Sequence, residues 1–222
     1  MFLVAVVVAA AVSAAGSSTG AGTPPDGTYN YSITQGGSAI GNSTVTIKRT
    51  PDNIALHETE TLGQLNYVVD ETLDANTLNP KTYVATYTKG TGSQTARVAF
   101  DRTGATVTFD GIAGNEFFAL PAGVKNAYVL ESSIMTGFLM LPAQLHASRA
   151  NQFLQVMPSE VAQLTGRVSG ATAGPRPASL PSNDVSLSIG GRVSFDEWYD
   201  PNTYILHAVS VPIEDVLIQL TK

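Results

Sequence analysis

The chain has 222 residues, 43% of them hydrophobic and only 14% charged, with a formal net charge of −6 and no cysteine. That is enough apolar material for a core without disulfides, and it excludes thiolate metal sites, disulfide stapling and a lipid-modified cysteine. The twelve Lys and Arg are scattered, with only Lys48 and Arg49 adjacent, so no basic stripe exists to neutralise phosphates and nucleic acid is not expected as a partner.

Residues 2–15 (FLVAVVVAAAVSAA) form an apolar run that ends in small residues. Ser13 and Ala15 fit the −3 and −1 positions of a secretory cleavage site, so 1–15 is expected to be a signal peptide and Gly16 the mature N-terminus. No Lys or Arg precedes the run, which departs from the usual signal pattern. The run is shorter than the roughly 20 residues of a membrane span. The mature chain is therefore expected to be exported, periplasmic or secreted, without a membrane span. Residues 16–26 read as a flexible leader, and 27–222 as a single β domain.

From Gly27 onward apolar and polar residues alternate with period two. Tyr29, Tyr31 and Ile33 share one face, then Val45 with Ile47, Tyr83 with Ala85 and Tyr87, Val98 with Phe100, and Val107 with Phe109. Turn chemistry separates these runs, as in Gln35-Gly36-Gly37, Asn79-Pro80 and Asp101-Arg102-Thr103-Gly104. The rhythm breaks over 126–166, where IMTGFLMLP and the following AQLHAS predict a short helix around 136–150, limited by Gly137 and Pro142. Phe153 to Met157 alternates again as a strand. Residues 166–184, rich in Gly, Pro, Ser and Ala, predict a surface loop or linker. Val185, Leu187 and Ile189 alternate up to Gly190-Gly191, a hairpin signal, and Val193 with Phe195 alternates away from it. Asp200-Pro201-Asn202 marks the next turn, before strands over 204–211 and 216–220.

Some fifteen strands must close, roll or stack to hide their edges. The fold class expected is mainly β: an antiparallel meander forming a strongly curved sheet or open barrel, with the 134–150 segment across its concave side. A two-sheet β-sandwich is the alternative.

Catalytic signatures are scarce. No G-x-S-x-G elbow between strand and helix, no phosphate-binding loop and no H-E-x-x-H occurs, so no catalytic residue is assigned. His57, His146 and His207 are far apart and unrelated in spacing, so no metal site and no cofactor is expected. Glu58 and Glu60 share a strand face with Ile54 and Leu56, and Glu197 shares one with Val193, Phe195 and Tyr199. Each strand is expected to run off the core edge there, leaving the acids wet. A cleft around them would instead raise their pKa and suit acid–base work. The aromatic set Tyr29, Tyr31, Tyr83, Tyr87, Phe100 and Tyr199, with Phe138 and Met140 closing over it, would line a cavity for an amphiphilic or apolar ligand if the sheet curves.

Three stretches, GTYNYSITQGGSAIGNSTVTI, FLMLPAQLHASRANQFLQVMPSE and EWYDPNTYILHAVSVP, resemble uncharacterised exported bacterial β domains that stand alone or precede an α/β-hydrolase domain. The resemblance implies an opening strand pair in the first stretch and a hairpin at Trp198-Tyr199-Asp200-Pro201. It implies no catalytic residues. A more distant likeness of architecture is to periplasmic lipoprotein carriers. The function expected is an exported, non-catalytic module binding a small amphiphile; the alternatives are a structural or protein-interaction domain of the cell envelope, and a carboxylate-dependent hydrolase.

Overall fold

The computed structural model describes residues 22–131, 133–169, 173–191 and 194–221, so the expected signal peptide lies outside the described residues. In chain order the elements are β1 (Gly27–Gln35), β2 (Ser38–Arg49), β3 (Asn53–Leu62), β4 (Leu65–Asp74), β5 (Pro80–Lys89), β6 (Gly92–Asp101), β7 (Gly104–Phe109), β8 (Glu116–Ala119) and β9 (Ala127–Val129). There follow helix α1 (Met135–Ser148), then β10 (Gln152–Met157), β11 (Ala162–Val168), β12 (Val185–Gly190), β13 (Phe195–Tyr199), β14 (Leu206–Val211) and β15 (Val216–Thr221).

All fifteen strands belong to one sheet, in the order β8-β7-β6-β5-β4-β3-β2-β1-β15-β14-β13-β12-β11-β10-β9. The curved meander is therefore the fold, and the sandwich is not. Chain connectivity forces the curvature. In a flat sheet, fourteen steps of about 4.8 Å would separate β8 from β9 by roughly 67 Å. Yet the two are consecutive in sequence, and the eight peptide steps from Ala119 to Ala127 span at most about 29 Å. The sheet must curl until its two edges approach each other, leaving a seam where β8 and β9 do not pair.

Every neighbouring pair is antiparallel except β9 and β10, which run parallel with Ala127 opposite Leu154 and Val129 opposite Val156. Parallel neighbours need a crossover, and α1 provides it, so β9, α1 and β10 form a β-α-β unit within the meander. Parallel strands are normally buried on both faces. Here Tyr128 and Phe153 face one apolar cluster, whereas Ala127, Val129, Leu154 and Val156 face another. This end of the sheet folds inward, against Val69, Tyr83, Ala85, Val98 and Val107 of the opposite arm.

The period-two pattern explains the rest. Tyr29, Tyr31 and Ile33 of β1, Val45 and Ile47 of β2, and Ile54 and Leu56 of β3 are buried on the concave face. Thr44, Asn30 and His57 look outward, where Thr44 Oγ1 donates to Asn30 and His57 pairs with Asp70. Helix α1 fills the concave side, and every residue from Met135 to Leu145 is buried. A helix apolar on all sides is one surrounded by protein. It is thus a central plug and not a surface lid.

Several boundaries differ from those expected. The helix spans 135–148 even though Pro142 removes one internal N–H; burial on every side holds the ends together. The loop expected at 166–184 begins after Val168, because Arg167 and Val168 pair with Gly190 and Ile189. That loop packs on the outer face of β13–β15: Gly174 N donates to Asp196, Asp184 holds His207 Nδ1 at 2.8 Å, and Gln219 donates to Ser179. Gly190-Gly191 is not a two-residue turn, since Ile189 pairs with Phe195 and residues 190–194 connect them; Val193 lies outside the described residues. The strand expected from Tyr204 starts only at Leu206, because Tyr204 adopts φ 59° after the Asp200-Pro201 turn. At the N-terminus, Arg49 anchors the described end of the expected leader through Asp26, Thr23 and the Pro24 carbonyl.

Gly137 packs α1 directly against Val129 of β9. A Cβ there would lie 2.0 Å from the Val129 carbonyl oxygen, which is backbone and cannot rotate away. Gly137→Ala should destabilise the fold by about 2–3 kcal/mol, an overpacking penalty, read as a lowered urea midpoint with an unchanged slope.

Candidate functional site

Five glutamates stand on the buried side of the sheet or at the start of α1: Glu58, Glu60, Glu71, Glu131 and Glu197, at 0, 2, 3, 5 and 0% exposure. The expectation that Glu58, Glu60 and Glu197 run off the core edge into solvent is overturned. Their parity placed them correctly on the apolar face, but the inward-folded β9–β10 edge and α1 cover the strand ends that a simple meander would leave open.

Glu58 has the clearest role. Its Oε1 accepts from Ser43 Oγ at 2.6 Å and from Met135 N at 2.9 Å, and its Oε2 accepts from Thr136 N at 2.9 Å. These amides belong to the first turn of α1, whose preceding residue Ile134 has no side-chain cap and whose first turn holds no acid. A strand carboxylate therefore satisfies the helix N-terminus, where orphan N–H groups and the macrodipole favour negative charge. Burial pushes Glu58 up to about 7, opposed by hydrogen bonds from Ser43, Met135 and Thr136.

Glu60, two residues on and on the same face, has no donor within 3.5 Å of either oxygen. Burial and then the Glu58 charge push it up to about 8, with the Ser133 hydroxyl pulling the other way. Of the two, Glu58 carries the charge and Glu60 the proton, because three donors close on Glu58 whereas the hydrogen-bonding groups beside Glu60 are only the Ser133 hydroxyl and Glu58 itself. Burial also takes Glu71 up to about 8, beside Thr136. Glu131 Oε1 accepts from Ser159 N at 2.6 Å and its Oε2 from Tyr87 Oη at 2.8 Å; burial raises it. Glu197 lies apart on β13 with both oxygens unpartnered, and burial raises it well above the usual range. No Lys, Arg or His is among the principal groups acting on any of the five. Among the described residues none of them joins an ion pair.

The aromatic residues expected to share a cavity divide between two clusters. Tyr29, Tyr31, Phe138 and Met140 pack together, with Tyr199 against them. Tyr83 belongs to the second cluster, with Tyr87 and Phe100 against it. Tyr31 and Tyr83 are fully buried, and Phe138 and Met140 belong to the plug itself. Phe100 lines a separate surface cavity beside Arg102 and Lys125. Tyr87 alone of the eight reaches the acids by a hydrogen bond, and its ring meets Tyr67 edge-on at 5.5 Å. Among the described residues no group of three or more His, Asp or Glu could hold a metal ion, and no helix is long and apolar enough to cross a membrane.

Sequence reasoning did not find the cavity at the seam. It measures about 370 Å³ and is lined by the apolar Val107, Phe109, Ile112 and Val161 together with the polar Gln94, Asn115, Glu116 and Ser159. Ile112 and Val161 are 57% and 48% exposed although apolar. Val161 also adopts φ 50°, a left-handed conformation that a β-branched residue enters only under strain. The corresponding turn before β15, also Pro-x-Glu, places Asp215 at that point, a residue that tolerates it better. A Val where Asn, Asp or Gly would be relaxed was the one available sequence signal. Ser159 joins this cavity to the acids, since its amide holds Glu131.

The buried acids set the sign of the pH dependence. A carboxyl with its pKa raised on folding binds more protons folded than unfolded between the two values, so stability falls as pH rises through that window. For Glu58, Glu60 and Glu71 it runs from about 4.5 up to 7–8. Each group contributes about 1.4 kcal/mol of lost stability per pH unit within it. The protein should melt at a higher temperature at pH 5 than at pH 8.5, the reverse of ordinary acid denaturation. Glu197→Gln should raise the melting temperature at pH 8.5 and reduce the pH slope; a melting temperature that rises with pH would contradict this account.

No family model, curated protein or solved structure matches this chain, so the chemistry of the site rests on its own residues.

Proposed function

We propose that the chain is an exported, non-catalytic module that binds a small amphiphile at the seam of its curled sheet. The observation that carries this reading is the cavity of about 370 Å³ whose wall exposes Ile112 and Val161. A pocket with apolar walls and a few polar groups at one end suits a ligand with an apolar body. The strained Val161 supports it, because strain of 1–3 kcal/mol persists where function selects it. Of the two apolar clusters, the second borders this site, through Val107 and Phe109.

The hydrolase reading draws support from the raised carboxyls, which suit acid–base chemistry. Glu58, Glu60, Glu71 and Glu197 are nevertheless sealed, and none could touch a substrate without the sheet opening. A second binding reading is favoured by the unpaired edge of β8, where Phe117 is 50% exposed. A protein partner could add a strand there. Export rests on the apolar run at 2–15.

Titration of the labelled protein with 1-decanol should give saturable NMR shifts centred on Val107, Phe109, Ile112 and Val161. Val161→Asn should weaken binding about tenfold while leaving the melting temperature unchanged or higher, because Asn accepts the left-handed backbone. Shifts that never saturate, or that fall elsewhere, would refute the seam site. Saturable shifts confined to 116–119 on adding an extended apolar peptide would favour the strand-addition reading instead.

A further inference from the structure

We propose that the outer face of the sheet carries a second ligand site, beneath the 173–184 loop, where His207 Nε2 accepts a hydrogen bond from a small uncharged compound with a phenol-type hydroxyl. This site shares no lining residue with the seam cavity and does not depend on it.

The backbone of β14 sets the histidine in place. Ala208 stands opposite Trp198 and Leu206 opposite Tyr199, so His207 is an extra residue without a partner in the ladder. Such a bulge re-aims a side chain, and bulges concentrate beside functional sites. Leu206 packs in the apolar interior, whereas His207 turns outward to Asp184 at the end of the loop. Its Nδ1 lies 3.0 and 2.8 Å from the two Asp184 oxygens. The Asp184 side chain is wholly buried, while that of His207 keeps 18% exposure. An ionised carboxylate only accepts, so Nδ1 carries the proton and Nε2 of the neutral ring keeps a lone pair.

The tie to the loop uses Nδ1 alone. Among the described residues Nε2 has no hydrogen-bond partner, and it is not one of the buried polar atoms left without one, so it is accessible. The space beside it is a cavity of about 390 Å³ between the loop and strands β1, β14 and β15. Leu180 and Pro181 line it from the loop, and Ser32, Gln219 and His207 from the sheet. That volume falls within the range of small-molecule pockets, which combine apolar walls with a few fixed polar groups.

The lining selects the ligand. It contains no Lys, Arg, Asp or Glu, so nothing there holds a charged group. The Asp184 carboxylate behind the imidazole further disfavours an anion. Ser179, also in the lining, accepts from Gln219 Nε2 at 2.9 Å and keeps its own proton to donate. The cavity thus presents one oriented acceptor and one donor on an apolar background. A ligand hydroxyl meets the acceptor, and a phenol, with a more acidic O–H than an alkanol, meets it best. Its ring lies between the sheet and the Leu180-Pro181 wall.

The experiment uses the full chain labelled with nitrogen-15 at histidine, at about pH 8, above the range in which histidines ordinarily titrate. Long-range proton–nitrogen spectra should show His207 protonated at Nδ1 and bare at Nε2. Phenol should shift the Nε2 signal saturably. It should bind at least about fivefold tighter than anisole, which has the ring but no donor, as one hydrogen bond implies. Benzoate should not compete. His207→Asn keeps a donor for Asp184 and deletes the acceptor, so it should erase the preference for phenol over anisole. Decanol binding at the seam should be the same in His207→Asn, which separates failure of this site from failure of that one. A proton on Nε2, absence of saturable phenol binding, equal affinity for phenol and anisole, or a preference surviving His207→Asn would each overturn the proposal. If His207→Asn loosens the loop, the tautomer and the phenol–anisole comparison in the unaltered protein still decide.

Discussion

The carboxylate of Glu58, reaching from β3 to the first two amides of α1, is the contact on which the rest of the structure depends. Helix α1 begins deep inside the curl, where no water can satisfy its first N–H groups, and it has no cap of its own. Without an acceptor from the sheet, the helix could not start there. With it, the helix starts directly under β3, turns through the concave side and returns the chain to β10 in the parallel register that folds the edge inward. One charged side chain thus links the position of the plug to the closure of the sheet.

That solution has a consequence for the neighbours. Burial makes every nearby carboxyl harder to ionise, and a charge on Glu58 adds to the effect. Glu60 and Glu71 are raised by burial and then by Glu58, Glu131 chiefly through burial, and Glu197 through burial alone. Around the charged Glu58, the other four acids, which join no ion pair among the described residues, keep protons that ordinary surface acids would lose. This interior relies on protonation and not on ion pairing, unlike the surface, where Arg97 with Asp110 and Lys81 with Asp74 form conventional pairs.

The seam follows from connectivity. Because β1 pairs with β15, the two ends of the ordered sheet's chain meet at its centre, and the free edges are consecutive strands in the middle of the sequence. The short link between them holds β8 and β9 close without pairing them. An interruption in an otherwise continuous sheet is where apolar surface can remain open to a ligand. There Val161 is held in a conformation its side chain disfavours, and Ser159, two residues before it, donates its amide to Glu131.

The sequence by itself determined the class of fold, since alternation specifies which side of each strand is apolar and Gly, Pro and Asn clusters specify where strands end. It also determined the helix near 135–148, and it placed Glu58, Glu60 and Glu197 on the inner face by parity alone. It could not say that those acids are buried, because burial at a strand's end depends on what lies across from it, and Met135, Ser133 and Glu131 are more than seventy residues away from Glu58 in the chain. The parallel pairing of β9 with β10 was equally illegible: three residues carry no periodicity, and the pairing arises from the crossover that α1 makes. The division of the aromatic residues into two clusters has the same origin, as an inward fold of one sheet edge partitions a face that alternation shows as continuous. Local pattern decides which way a side chain points; only the tertiary structure decides what it meets.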